Sequence, residues 1–356
     1  MSVYKIFPEA DSTIYSAYPT KNTGLDEILE VSVKNSLVAA GSDDIRRSLI
    51  KFSDSDIQKI NTLRSSNAYN VYLKLYLSNA ENLTSPYTLN FHQINNSWIM
   101  GTGKYLDNPS IFNGVSWYST ASYSGSSNNW TNTSYYITPG GGSWTTSPTT
   151  QSFSYNDNKD VEVNVTSIFS NWVNGQNNYG ILIKHTSSVE NNSDSYIALS
   201  FFSIDTRTIF PPCLEMRWDD SVYDTGSLQV INSSNTVLNV SNNPYYIKNK
   251  SEKYVFRITA RDKYPVRTFS TASIYTVNKA LPSSSYWGIQ DVKTEDMIID
   301  FDNSYTKVSC DTNGSYFNLY INGLEPERYY KILIKSILNS GETVVSDGNC
   351  IFKIIR

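Results

Sequence analysis

Histidine, cysteine and charge are scarce in this chain, and each shortage removes a class of function. The two histidines, His92 and His185, stand far apart in 356 residues, both in strand-like stretches. Histidine is the side chain best placed for acid-base work near neutrality, and these two read as strand residues rather than catalytic ones. The three cysteines, Cys213, Cys310 and Cys350, are odd in number and have no CxxC spacing. That pattern excludes a disulfide framework and a zinc knuckle, and they read as small core residues. Charged residues make up only 17% and the formal net charge is −4, so the chain carries no basic footprint for nucleic acid and no polybasic membrane patch. Apolar runs stay well short of the ~18 residues of a membrane-spanning helix. The opening MSVYKIFPEAD lacks a basic stretch followed by an apolar one, so synthesis in a cytosol is expected. Phosphate-binding, zinc-protease and nucleophile-elbow motifs are missing too. The adjacent acid pairs Asp43/Asp44 and Asp219/Asp220 sit in polar loops and point apart, without the facing geometry of glycoside hydrolysis. A non-enzymatic protein is expected.

What the chain has in quantity is aromatic and small polar residues. Aromatics reach 13%, led by 27 tyrosines, and the surplus of Tyr, Ser, Asn and Thr favours strands and polar loops over helices. Four of the seven tryptophans, Trp98, Trp117, Trp130 and Trp144, fall in one stretch from Asn95 to Pro148, embedded in Gly, Ser, Asn and Tyr. It is too aromatic for disorder and too glycine-rich for a helix. Its pattern predicts an ordered excursion over a β scaffold, which either pads a sandwich or presents a binding surface.

Period-2 alternation surrounds that stretch. Strands are predicted around Tyr4 and Ile6, over residues 12–15 and 27–33, and over 47–52, with turn chemistry at Pro8, Pro19 and 22–24. Residues 53–63 have capping residues and the Ile57/Ile60 spacing of one short helical turn. Residues 69–77 (YNVYLKLYL) put Val71, Leu73, Leu75 and Leu77 on one face. Further strands are expected at 88–94, 161–165, 179–184, 197–203 and 213–218, with a helical turn at 166–173 that places Ile168, Phe169 and Trp172 together before Gly175.

In this order the residues carry a resemblance. Asp11 with Asn22-Thr23-Gly24, Arg47 to Phe52, Leu73 to Tyr76, Trp98 with Gly101-Thr102-Gly103, Val115-Ser116-Trp117, Trp130 to Gly142, Val163 to Thr166, Trp172 to Gly175, Asn178 to Ile183, and Phe201 to Ser203 before Pro211 to Glu215 together resemble the DNRLRE family. Ser53 departs from the acidic residue usual there, and Ile99 and Met100 are apolar between Trp98 and Gly101. The resemblance implies a jelly-roll β-sandwich, akin to certain carbohydrate-binding modules, over residues 1–218.

A polar run at 219–226 marks a linker, and 227–356 is expected to form a C-terminal β-sandwich region, with a second division near 280–285 as an alternative. Its strands are predicted at 227–231, 236–240, 254–260, 273–277, 297–301, 306–310, 315–321, 329–337 and 351–355, with turns at 313–314, 322–323 and 340–341. Leu324-Glu325-Pro326-Glu327-Arg328-Tyr329 resembles the corner of fibronectin-III or immunoglobulin-like modules.

The fold class is therefore all-β. Trp98, Trp117 and Trp172 are expected in the core, while Tyr123, Trp130 and Trp144 are the candidate contact residues for a glycan or a partner protein. Neither a catalytic nor a metal-ligating set is assigned, although Glu9, Asp11, Asp26 and Glu27 supply oxygen ligands for a calcium ion. The expected role is a structural protein of a tailed-phage virion, in tail, collar, fibre or capsid decoration, made in the host cytoplasm. Its partners would be other virion proteins and further copies of itself in a symmetric assembly, with host-surface polysaccharide as a second class. The alternative is a carbohydrate-binding module protein of bacterial origin.

Overall fold

The computed structural model describes residues 2–34, 44–83, 86–122, 129–130, 140–154, 156–192, 196–248, 253–265, 277–348 and 350–355. They form two compact units, one of Ile6–Leu63 with Asn70–Glu215, the other of Met1–Lys5, Arg64–Tyr69 and Met216–Arg356. In chain order the first elements are β1 (Ser2–Ile6), β2 (Pro8–Tyr15), β3 (Ile28–Lys34), β4 (Asp44–Phe52), α1 (Asp54–Leu63), β5 (Tyr69–Leu75) and β6 (Leu77–Glu81). Then come β7 (Tyr87–Gln93), β8 (Thr149–Phe153), β9 (Val161–Asn164), α2 (Thr166–Val173), β10 (Ile181–His185), α3 (Ser187–Glu190), β11 (Tyr196–Phe202) and β12 (Cys213–Trp218). The protein is an all-β sandwich fold built of mainly antiparallel sheets, with short helices at their margins.

The larger unit is dominated by an eight-stranded sheet in the order β6-β11-β3-β4-β10-β7-β8, with β2 also paired to β4. A smaller sheet runs β12-β5-β9. Alternation explains β5: Val71, Leu73 and Leu75 are buried and their neighbours are not. The expected long strand does not continue through Leu77. The chain breaks at Tyr76, Asp160 accepts the Leu77 N–H at 2.7 Å, and β6 crosses to pair with β11 at the edge of the larger sheet. A strand that changes sheets makes a corner of the sandwich, so the apolar run 69–77 serves two layers. The helical turn expected over 53–63 is a ten-residue helix, α1, that buries Ile57 and Ile60. α2 spans Thr166–Val173, burying Ile168, Phe169 and Trp172, and ends at Gly175, whose φ of +93° is the left-handed stop that glycine accepts most readily.

The smaller unit contains β13 (Thr236–Val240), β14 (Tyr246–Lys248), β15 (Lys253–Asp262), β16 (Ser285–Asp291), β17 (Met297–Ile299), β18 (Ser309–Asp311), β19 (Gly314–Tyr320), β20 (Tyr329–Ile337), β21 (Thr343–Ser346) and β22 (Ile351–Ile355). Four strands pair as β13-β15-β19-β18 and six as β14-β22-β20-β16-β17 with β21 on β20. Aromatic rings join the two sheets: Trp287 of β16 stacks on Phe317 of β19 at 4.8 Å and 12°, and Phe256 of β15 meets Phe352 of β22 at 5.3 Å. One core cluster runs from Ile231 through Leu281 and Trp287 to Ile354, on both sides of residues 280–285. The start of the chain belongs here as well. β1 pairs with β12, Tyr4 packs edge-on to Tyr320 at 5.3 Å, and the Lys5 ammonium donates to the Ile298 carbonyl at 3.1 Å.

Two expectations shift within this unit. Residues 227–231 form no strand and contribute a single bridge, Val230 to Ala280. The corner tyrosine is Tyr330: it is buried and its hydroxyl donates back to the Glu325 carbonyl at 3.1 Å, while Tyr329 faces outward. The predicted strand at 273–277 lies outside the described residues except for Val277.

Trp287 is fully buried, and its indole N–H has no hydrogen-bond partner among the described residues. Replacing it with alanine should lower stability by about 3–5 kcal/mol through the cavity left against Phe317. Trp287→Phe keeps a ring there and removes the orphaned donor, so its cost should be well under half of that. Urea unfolding of the full chain, followed by far-UV circular dichroism, measures both.

Candidate functional site

The tryptophan stretch is pinned at its root. β7 and β8 pair from Tyr87↔Phe153 to Phe91↔Thr149, and an Ile94↔Trp144 bridge extends the ladder, with Asn95 N–H on the Ser143 carbonyl and Thr145 N–H on Gln93, each at 3.0 Å. The described residues between these ends are laid over the outer face of the eight-stranded sheet. That face carries Arg47 and Leu49 of β4, Leu182 and Lys184 of β10 and His92 of β7; Leu182 stands opposite both Leu49 and His92. Over it pack Trp98, Val115, Trp117 and Trp130, which with Ile14, Leu49, Ile94 and Leu182 form a second small core.

At its centre lies a buried charge cluster. Glu190 of α3 receives the Arg47 guanidinium on both oxygens, at 3.0 and 2.8 Å, and the Lys184 ammonium at 2.7 Å. Arg47 also donates to the Gly141 carbonyl at 2.6 Å, and its guanidinium lies 4.8 Å from the Trp117 ring centre and 5.0 Å from that of Trp144. Burial pushes the Glu190 carboxyl up, but Arg47 and Lys184 outweigh it and hold it below the usual carboxylate range. Burial pulls the Lys184 ammonium down, and Glu190 only partly restores it. Gly141, at φ +80°, is obligatory: a Cβ would collide with the Arg47 guanidinium and the Trp117 ring.

A second knot holds the start of the excursion. The Asn22 amide is fully buried and donates to the Met100 and Val115 carbonyls at 2.7 and 2.9 Å, while its oxygen accepts the Gly103 N–H at 2.8 Å. Gly101 and Gly114 close over it, with no room for a side chain on either.

The expected contact residues are distributed differently. Trp130 is 5% exposed and its indole donates to the Ser116 carbonyl at 3.0 Å, so the ring is part of the small core, with no open face to offer a sugar. Trp144 is half-buried against Arg47, Lys184 and His92. Tyr123 lies outside the described residues. Trp98, Trp117 and Trp172 are buried. Of the carboxylates expected near a calcium ion, Glu9 pairs with Lys51 and Glu27 with Lys104, each at 2.7 Å, while Asp11 accepts the Ile204 N–H and Asp26 that of Tyr105. Among the described residues no group of three or more His, Cys, Asp or Glu side chains is arranged to hold a metal ion.

A place the sequence reading missed lies on the smaller unit. Tyr245, Tyr246, Tyr329 and Ile351, all exposed, line a cavity of about 420 Å³ with Asn243, Lys331, Asp347 and Cys350. Two tyrosine pairs each following a proline, Pro244-Tyr245-Tyr246 and Pro326 before Tyr329-Tyr330, were the available signal.

No protein-family model, curated protein or solved structure matches this chain.

Two outcomes test the cluster and its surroundings. Glu190→Gln leaves Arg47 and Lys184 buried without their counter-charge and should cost about 3–5 kcal/mol, read as a loss of urea midpoint. The second concerns pH. Burial pushes Asp11 up to about 7, against the Ile204 N–H, and pulls His92 and His185 down to about 4. The neutral histidines contribute stability that is present above their unfolded value of about 6.5 and is lost as pH falls through about 4. Asp11 has the opposite sign, because the folded state holds its proton between the unfolded value and about 7. Asp11→Asn should therefore raise the unfolding free energy at about pH 8 by roughly 1–3 kcal/mol, read from urea midpoints, and the gain should vanish towards about pH 4.

Proposed function

We propose that this protein is a non-enzymatic structural component of a tailed-phage virion, placed in tail, collar, fibre or capsid decoration and acting through protein-protein contacts in a symmetric assembly. In this reading the larger unit is a jelly roll of the DNRLRE type, and residues 227–356 form a fibronectin-III or immunoglobulin-like module.

The observation that carries it is the use made of the chemically capable groups. Arg47, Lys184 and Glu190, with both histidines nearby, are drawn into an internal cluster roofed by tryptophan rings, where they hold a surface segment in place. Burial that keeps His92 and His185 neutral suits a scaffold. The DNRLRE reading is supported by the convergence of the residues that carry the resemblance: Asn22 meets Gly101 and Gly103, and Arg47 meets Trp117 and Gly141. The module reading is supported by the Tyr330 corner.

Peptide mass spectrometry of gradient-purified particles of the phage that encodes the chain tests the proposal. The chain should co-purify at a copy number that matches the symmetry of one virion part. Its recovery in a secreted bacterial fraction, with none in particles, would favour the carbohydrate-binding alternative.

A further inference from the structure

The cavity on the smaller unit is built from the outer face of its six-stranded sheet. β14 pairs in parallel with β22 and β22 pairs antiparallel with β20, in a register that puts Tyr246, Lys353 and Tyr329 in one row across three adjacent strands. Their neighbours Ile247, Phe352 and Tyr330 point the other way, into the core. Two tyrosines in a single outward row are thus fixed by the same alternation that fills the interior.

The third ring is placed by a turn. The Asn243 side chain accepts the Tyr245 N–H at 3.2 Å, Pro244 stiffens the segment, and Tyr245 takes a φ of +53°. This left-handed step is costly for a residue with a bulky side chain. It leaves both tyrosines of the pair outside: Tyr245, Tyr246 and Tyr329 are 68, 61 and 50% exposed. None of their hydroxyls hydrogen-bonds a described residue. Large aromatic rings left in water around a cavity of about 420 Å³ match the composition and size of a ligand site.

The polar groups select the ligand. Lys331 and Asp347 form a half-exposed pair at 3.4 Å, so the wall offers a donor and an acceptor with no net charge. The Lys353 charge is balanced by Glu327 at 2.5 Å. A phosphate or other polyanion would find no excess of cations here. A polyproline segment would cover the rings but has no N–H to give, so the acceptors at the rim would gain no donor from it. A pyranose fits both requirements: its C–H faces lie flat on aromatic rings, and its hydroxyls donate and accept at the rim.

We infer that Tyr245, Tyr246 and Tyr329, with Asn243, Lys331 and Asp347, form a binding site for an uncharged, equatorially substituted saccharide. The site is independent of the virion assignment, since a chain absent from particles would carry it equally.

Titration of the full chain with cellotetraose and with tetra-N-acetylchitotetraose, by isothermal calorimetry and saturation-transfer NMR, tests this. At least one should bind saturably, with transfer from tyrosine ring protons to the C–H protons of the sugar. Tyr246→Ala and Tyr329→Ala should each weaken binding by about tenfold or more, whereas Tyr246→Phe and Tyr329→Phe, which keep the ring, should stay within about threefold. Should an alanine variant prove unstable, sugar-induced shifts of the Tyr246 and Tyr329 ring signals, assigned by their loss in the phenylalanine variants, decide the same question. Failure of both sugars to bind, an affinity unmoved by the alanine variants, or a proline decamer binding in their place would overturn the assignment.

Discussion

Charge pairing in a dry place is the constraint on which the larger unit depends. Arg47 and Lys184 reach the outer face of a sheet that is itself covered, and Glu190 is the one carboxylate they share. With that pairing in place, the guanidinium can lie against two indole rings and hold the Gly141 carbonyl, so the covering segment is fastened at its far end. The cluster is more a specifier than a reservoir of stability. Buried ion pairs gain little over well-packed apolar groups, but each member tolerates few alternatives to the partner it has.

The two units use aromatic residues in opposite ways. In the larger one, indoles turn inward and roof the charges, which gives a long non-repetitive stretch a core of its own. In the smaller one, stacked rings join the two sheets, while tyrosines also appear on the outer face, in register and around a cavity. A count of aromatic residues does not separate these uses. Neighbouring glycines and acids do so for the first, and the alternation of adjacent strands for the second.

Local signals were read well and distant ones were not. α2 was legible over Thr166–Val173 because spacing, apolar face and glycine stop all lie within ten residues. The alternation of β5 was visible, but its end was not: the break at Tyr76 depends on Asp160, far along the chain. β16 has no strand assigned to it from the sequence, since Gly288 interrupts its apolar side chains; the glycine is there because Met297 and Phe301 leave no room for a Cβ. Trp130 looked like a surface residue from its Ser and Asn neighbours, yet sheet residues outside its own segment bury it. The pairing of Arg47 with Glu190 joins positions 143 residues apart, which no window on the sequence contains.

The Ile94↔Trp144 bridge has a consequence for how this surface can change over generations. Because β7 and β8 form an ordinary antiparallel ladder that the bridge continues, everything from 95 to 143 is topologically the tip of a hairpin. Loop-closure entropy grows only slowly with length, so such a tip can lengthen, shorten or be exchanged while the sheet beneath keeps its register. The freedom ends where the segment packs on the sheet: Trp98, Val115, Trp117 and Trp130 are held by the core they share with Leu49 and Leu182, and Gly141 by the Arg47 guanidinium.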